Sequence, residues 1–171
     1  MNIVTMGGML VGLSLLIWKV VLWWPGTKAL KKDAVHQVGE LLPWAYGFCY
    51  GVLGILTVGG IVGAAFDFVV WGTNWMGDAA YVWGVGGAAQ SSVTRATIAP
   101  LTSGGLAVMW ILTVIWLVAM KKKEALRQDL TRGAWSGAML GLTKGVAGVA
   151  VVPLASLVNL AGAWISTEVF V

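Results

Sequence analysis

The sequence predicts an all-α integral membrane protein: a four-helix transmembrane bundle with both termini extracytoplasmic, plus a short cytoplasmic amphipathic helix. Three observations carry this expectation. Of 171 residues, 58% are hydrophobic and only 11% charged, against about 25% charged in soluble domains, so charge is too scarce to cover a water-facing surface. Several apolar runs exceed the ~18 nearly uncharged residues that suffice to cross a bilayer. Lys and Arg gather in two segments that fall on one side of the expected spans. The length allows about four spans in a single polytopic domain, residues 1–171, and little else.

Span one covers about residues 3–24, IVTMGGMLVGLSLLIWKVVLWW. No positive charge precedes it and Lys19 comes at its far end, unlike a cleavable signal peptide. In the polar segment that follows, Leu30, Ala34, Val38 and Leu41 fall on one helical face, and Lys28, Lys32, His36 and Glu40 on another. That is the pattern of an amphipathic helix on the inner leaflet. Span two is expected at 44–70, and residues 71–100 form a mixed outer stretch rich in turn signals, with Ser91 positioned to cap a helix kinked at Pro100. Span three is expected at 101–120, ending at KKKEALRQDLTR, and span four at 135–164. No whole-length internal repeat or low-complexity linker is evident.

Orientation follows from the basic residues. Lys28, Lys31, Lys32, Lys121, Lys122, Lys123, Arg127 and Arg132 lie between spans one and two or between three and four, while only Arg95 lies on the other side. The basic segments are expected in the cytoplasm, in a prokaryotic plasma (inner) membrane. Lys28, Lys31, Lys32, Lys121, Lys122 and Lys123 are the expected contacts to anionic inner-leaflet lipid. Of the 11 tryptophans, Trp135 and Trp164 would mark the two interfaces of span four, about 43 Å apart along one continuous helix, while Trp110 and Trp116 fall deeper, between helices.

Span four carries the least ordinary pattern, GAWSGAMLGLTKG from residue 133. At 100° per residue, Gly133, Gly137, Gly141, Gly145 and Gly148 share one arc, with Asn159 and Gly162 continuing it beyond Pro153. Trp135, Met139, Val146, Leu157 and Trp164 fall opposite. Small residues let helix backbones touch where no hydrophobic force drives association. The face is expected to be a helix-packing interface, serving either packing within the chain, against Gly47, Gly51 and Gly54, or association with another subunit. Lys144 lies in the same arc, and with Asp67 and Arg95 it completes the candidate buried polar residues. Lys144 either snorkels to headgroups or meets a neighbouring helix.

No catalytic set is visible, and neither a cofactor nor a metal site is expected. One histidine, His36, and one cysteine, Cys49, exclude bis-histidine haem ligation and an internal disulfide. The short basic loops lack interleaved aromatics, so nucleic acid is not an expected partner. The composition points to a small noncatalytic structural or assembly subunit of a larger membrane complex, partnered by other integral-membrane subunits or copies of itself. The alternatives are a homo-oligomeric channel, pore-former or holin-like protein with Lys144 and Asn159 on its path, or a transporter component using Asp67.

Overall fold

Thr5 and Thr102 each open a helix in the same way. The Thr5 hydroxyl accepts from Gly8 N (3.1 Å) and the Thr102 hydroxyl from Gly105 N (3.2 Å), each satisfying one of the orphan donors of a first helical turn. The structure, a computed structural model, describes residues 4–24, 34–88, 100–141, 143 and 150–168. Among these it is all-helical, with six helices and no strands: α1 Met6–Trp23, α2 Ala34–Gly54, α3 Gly60–Val85, α4 Ser103–Met120, α5 Glu124–Gly141 and α6 Val152–Glu168. Two of them, α1 and α4, are long and apolar enough to cross a membrane.

α1 and α4 lie inside the expected spans one and three, whereas spans two and four are each interrupted. The run at 44–70 breaks after Gly54, because Gly59 and Gly60 take φ of 79° and 67°, the left-handed region that glycine enters freely. α3 then continues through residues expected as an outer loop, and stops only at Gly86, again left-handed (φ 70°), with Gly86 N and Gly87 N bonded back to Val82 O and Tyr81 O. Gly59 and Gly60 therefore make a turn and do not extend a packing face. Pro100 precedes α4 instead of kinking it, and Ser91 lies outside the described residues.

The run at 135–164 divides between α5 and α6. Pro153 sits in the first turn of α6, where its missing N–H costs nothing. α5 starts at Glu124, so the charged segment EALRQDLTR is helical, with Glu124 bound to Arg127 (2.6 Å) and Gln128 (3.2 Å). These contacts, that of Gln128 first, hold the exposed Glu124 carboxyl below its ordinary pKa. Trp135 and Trp164 consequently belong to different helices and mark no single 43 Å axis. The separate amphipathic helix is likewise absent for Ala34–Leu41, which is continuous with α2; Leu30 and the lysines before it lie outside the described residues.

The six helices form two units of three. α2 and α5 run side by side and parallel, since Gly47 meets Leu130 and Gly51 meets Ala134 as the numbers rise together. α1 runs antiparallel to α5, with Ser136 Oγ donating to Gly12 O (2.9 Å) and Lys19 pairing with Asp129 (2.7 Å). α4 runs antiparallel to α2, with Leu101 N donating to Leu56 O (3.3 Å) just outside the two helices and Tyr50 donating to Thr113 Oγ1 (3.2 Å) further along. Thus the first helix of each unit packs on the central helix of the other. The third helix bridges one end of the bundle. Phe66 of α3 fills the space beside Gly54, and Asn74 and Gly77 reach the start of α1. Val151, just before α6, packs near Gly141, and Asn159 and Gly162 reach the start of α4.

Candidate functional site

The centre of the molecule is the α2–α5 seam. A Cβ at Gly133 would overlap the carbonyl oxygen of Trp44, and one at Gly137 the carbonyl oxygen of Phe48. The converse holds on the partner helix, where Gly47 faces Leu130 O and Gly51 faces Ala134 O. Gly141 meets the side chains of Ile55, Val52 and Val151. Glycine disfavours a helix by about 1 kcal/mol relative to alanine; here backbone-to-backbone approach, which no other residue permits, offsets that cost. The seam is closely filled, with Val52 and Ala138 fully buried, and on the α1 side of α5 Ser136 and Met139 are fully buried beside Gly12.

At one end of the seam sit two matching clamps. Asn74 Oδ1 accepts from Thr5 N (3.1 Å) and Thr5 Oγ1 (3.3 Å). Asn159 Oδ1 accepts from Thr102 N and Thr102 Oγ1, both at 3.0 Å. In each clamp a glycine pair touches backbone to backbone, Gly7 with Gly77 and Gly104 with Gly162. A second glycine, Gly8 or Gly105, leaves the asparagine side chain room, because a Cβ there would overlap Oδ1. The motifs are TMGG with NWMG and TSGG with NLAG. They are an internal repeat in which the two units share a joint and little other sequence.

At the opposite end lies a charged cleft of about 150 Å³ lined by Trp18, Lys19, Trp23, Glu40, Asp129 and Arg132. The Lys19–Asp129 pair is partly buried, and the Arg132 guanidinium stands 5.5 Å over the Trp18 ring, a cation–π geometry. Lys19 thus has a carboxylate partner in the chain beyond the headgroups expected of it. Lys121, Lys122 and Lys123 are exposed at the end of α4.

Comparison with protein-family models, curated proteins and solved structures returns no match. The reading therefore rests on the chain's own geometry.

The seven residues expected to form one face occupy separate places. Gly133, Gly137 and Gly141 belong to α5 and face α2, while Asn159 and Gly162 belong to α6 and face the start of α4; Gly145, Gly148 and Lys144 are outside the described residues. The break before α6 is what separates them. Of the other polar candidates, Asp67 is exposed on α3, and Arg95, Lys28, Lys31 and Lys32 fall outside the described residues. Trp110 is 63% exposed, not packed between helices, whereas Trp116 stacks on Tyr50 at 5.2 Å. Among the described residues no three His, Cys, Asp or Glu side chains are grouped to hold a metal ion. The sequence reading missed Thr5, Asn74, Gly77, Thr102 and Gly104, although the paired motifs were there to find them.

Proposed function

We propose that the protein is a multi-pass integral membrane protein of the plasma (inner) membrane, a small noncatalytic structural subunit of a larger membrane assembly. The observation that carries this reading is the inverted distribution of polarity. Thr73, Thr113 and Ser136 are buried, while Trp18, Val21, Trp71, Trp110, Val118 and Trp164 are exposed. Only 17% of the residues in each of α1 and α4 are buried, which is the opposite of an apolar helix in a soluble core and fits a surface in contact with lipid tails. The basic Lys121–Lys123 end faces the cytoplasm and the clamp end faces outward.

Because α2 occupies the glycines of α5, assembly with other subunits runs through the outer faces of the bundle. A pore along the seam has less support, since the two backbones touch there and leave no path. The test is purification from native membranes in mild detergent, followed by native mass spectrometry and reconstitution. The expected result is stoichiometric association with other integral-membrane chains and no ion conductance. A homogeneous ring of this chain alone that conducts ions in liposomes would overturn the reading.

A further inference from the structure

The two three-helix units are related by a twofold axis along the α2–α5 seam. A shift of 86 residues takes Gly47 and Gly51 to Gly133 and Gly137. It also carries the Gly47–Leu130 contact into Trp44–Gly133, and Gly51–Ala134 into Phe48–Gly137, with the partners exchanged, as in an isologous interface. In the first helices the shift is 97, from Thr5 and Gly7 to Thr102 and Gly104. The charged cleft breaks this symmetry. Its Lys19 corresponds to Trp116, Glu40 to Leu126, Asp129 to Pro43 and Arg132 to Tyr46. The second unit packs aromatics at that joint: Tyr46 donates to Leu112 O (2.7 Å) and Trp116 stacks on Tyr50 at 5.2 Å. Helix packing there does not require charge, and a buried ion pair is often no more stabilising than apolar packing. The four charged side chains of the first unit therefore answer to something else.

The cleft meets a second depression at Leu15 and Trp18, which line both. This is an apolar groove of about 340 Å³ between α1 and α3, walled also by Leu10, Val11, Tyr81 and Val85. It follows α1 from Trp18 back to Gly7, about 16 Å of helix axis. One leaflet contributes about 15 Å to the hydrocarbon core, so the groove has the length of an acyl layer. Lys19 stands about 6 Å of axis before Trp23, the last residue of α1. Polar space thus lies at headgroup level and apolar space at acyl level, in one strip along α1.

We propose that this strip binds an inner-leaflet phospholipid with a phosphoethanolamine headgroup. The phosphate lies on Arg132, whose guanidinium is exposed over Trp18 and, among the described residues, joins no carboxylate. The ammonium donates to the carboxylates of Glu40 and Asp129. Lys19 takes one oxygen of Asp129, Oδ2, and a carboxylate offers about four acceptor sites, so both can accept an ammonium beside the partners they have. One acyl chain lies in the groove. Two cations and two anions line the cleft, a balance that suits a zwitterion better than an anionic headgroup, and choline lacks the N–H donors that the carboxylates would receive. The inference rests on the membrane reading above.

The test is titration of the purified full chain in mild detergent with phosphatidylethanolamine, phosphatidylcholine or phosphatidylglycerol, read by native mass spectrometry. The native chain is expected to retain phosphatidylethanolamine over both others. Glu40 is exposed, so Glu40→Gln spares the fold; it should weaken phosphatidylethanolamine binding about 10-fold and remove the preference over phosphatidylglycerol. Arg132→Gln should weaken binding of all three lipids. Ala80→Trp, on an exposed wall of the groove, should do the same without touching the cleft, which keeps the proposal testable if a charge variant fails to fold. Leu126→Gln, at the place matching Glu40, should change nothing. Soluble glycerophosphoethanolamine should fail to displace the lipid; displacement at equal concentration would assign the cleft to a free zwitterion and overturn the lipid site. Phosphatidylglycerol retained first, or unchanged binding in both Glu40→Gln and Ala80→Trp, would overturn it as well. Release of the chain from membranes by alkaline carbonate would refute the membrane reading itself; a membrane-integral chain with no preference for phosphatidylethanolamine refutes the lipid site alone.

Discussion

Gly137→Leu is expected to destabilise the chain by about 3 kcal/mol or more, the upper end of overpacking costs. The leucine Cβ would overlap the carbonyl oxygen of Phe48, and a main-chain carbonyl inside a helix cannot rotate away as a side chain can. Relief requires separating α2 from α5, which unpacks the buried Val52 and Ala138. Gly72→Leu is the control. Gly72 is also inside a helix, but nothing lies within 4 Å of the position its Cβ would take. There the same substitution should raise stability by up to about 1 kcal/mol, through helix propensity alone. Reversible unfolding in detergent micelles, followed by far-ultraviolet circular dichroism, separates the two outcomes. Equal behaviour of the two variants would remove the seam from the account.

Asn159→Ala and Asn74→Ala form the second expected result. Each removes the carbonyl that receives a threonine amide and hydroxyl at once. A donor left without an acceptor costs about 1–3 kcal/mol. The two variants should lose similar stability, because the two clamps share one geometry. The two asparagines bond different threonines, so the double variant should lose the sum of the two within about 0.5 kcal/mol. A large loss at one site and none at the other would show that the two units are not equivalent joints.

How legible this was in the sequence depended on which force set each feature. α1 and α4 were legible because an uninterrupted apolar run of membrane length has few other uses. The breaks after Gly54 and Gly141 were not. Gly59 and Gly60 look the same in sequence whether they line a close-packed helix face or take a left-handed turn, and only tertiary context decides. The same ambiguity merged Asn159 and Gly162 with the glycines of α5, since an angular count carries through a break as readily as through a helix. The repeat was hidden for a different reason. Threonine and asparagine stand 69 residues apart in the first unit and 57 in the second, so no fixed period aligns them. What the units share is a joint of a few residues, where a glycine contact and a two-fold acceptor constrain composition. The remainder needs only to be apolar and of suitable length.

The positions of Lys19 and Trp116 illustrate the same limit at the candidate site. The expected depth of each followed from counting residues from the ends of its expected span. Their neighbours did not, because Asp129 is 110 residues from Lys19, and Tyr50 and Phe66 reach Trp116 only through the packing of three helices.

The central claim, that α4 crosses the membrane with its clamp end outside, is tested most directly at the two ends of that one helix. Ser103 and Lys122 are both exposed, and the 18-residue helix of which Ser103 is the first residue is about 27 Å long, close to the ~30 Å hydrocarbon core. Cys49 is the only native cysteine, so Cys49→Ser gives a clean background for single Ser103→Cys and Lys122→Cys variants. In intact cells, a membrane-impermeant maleimide should modify the Ser103→Cys variant at once and the Lys122→Cys variant only after permeabilisation. Modification of both variants from the same side would contradict the account.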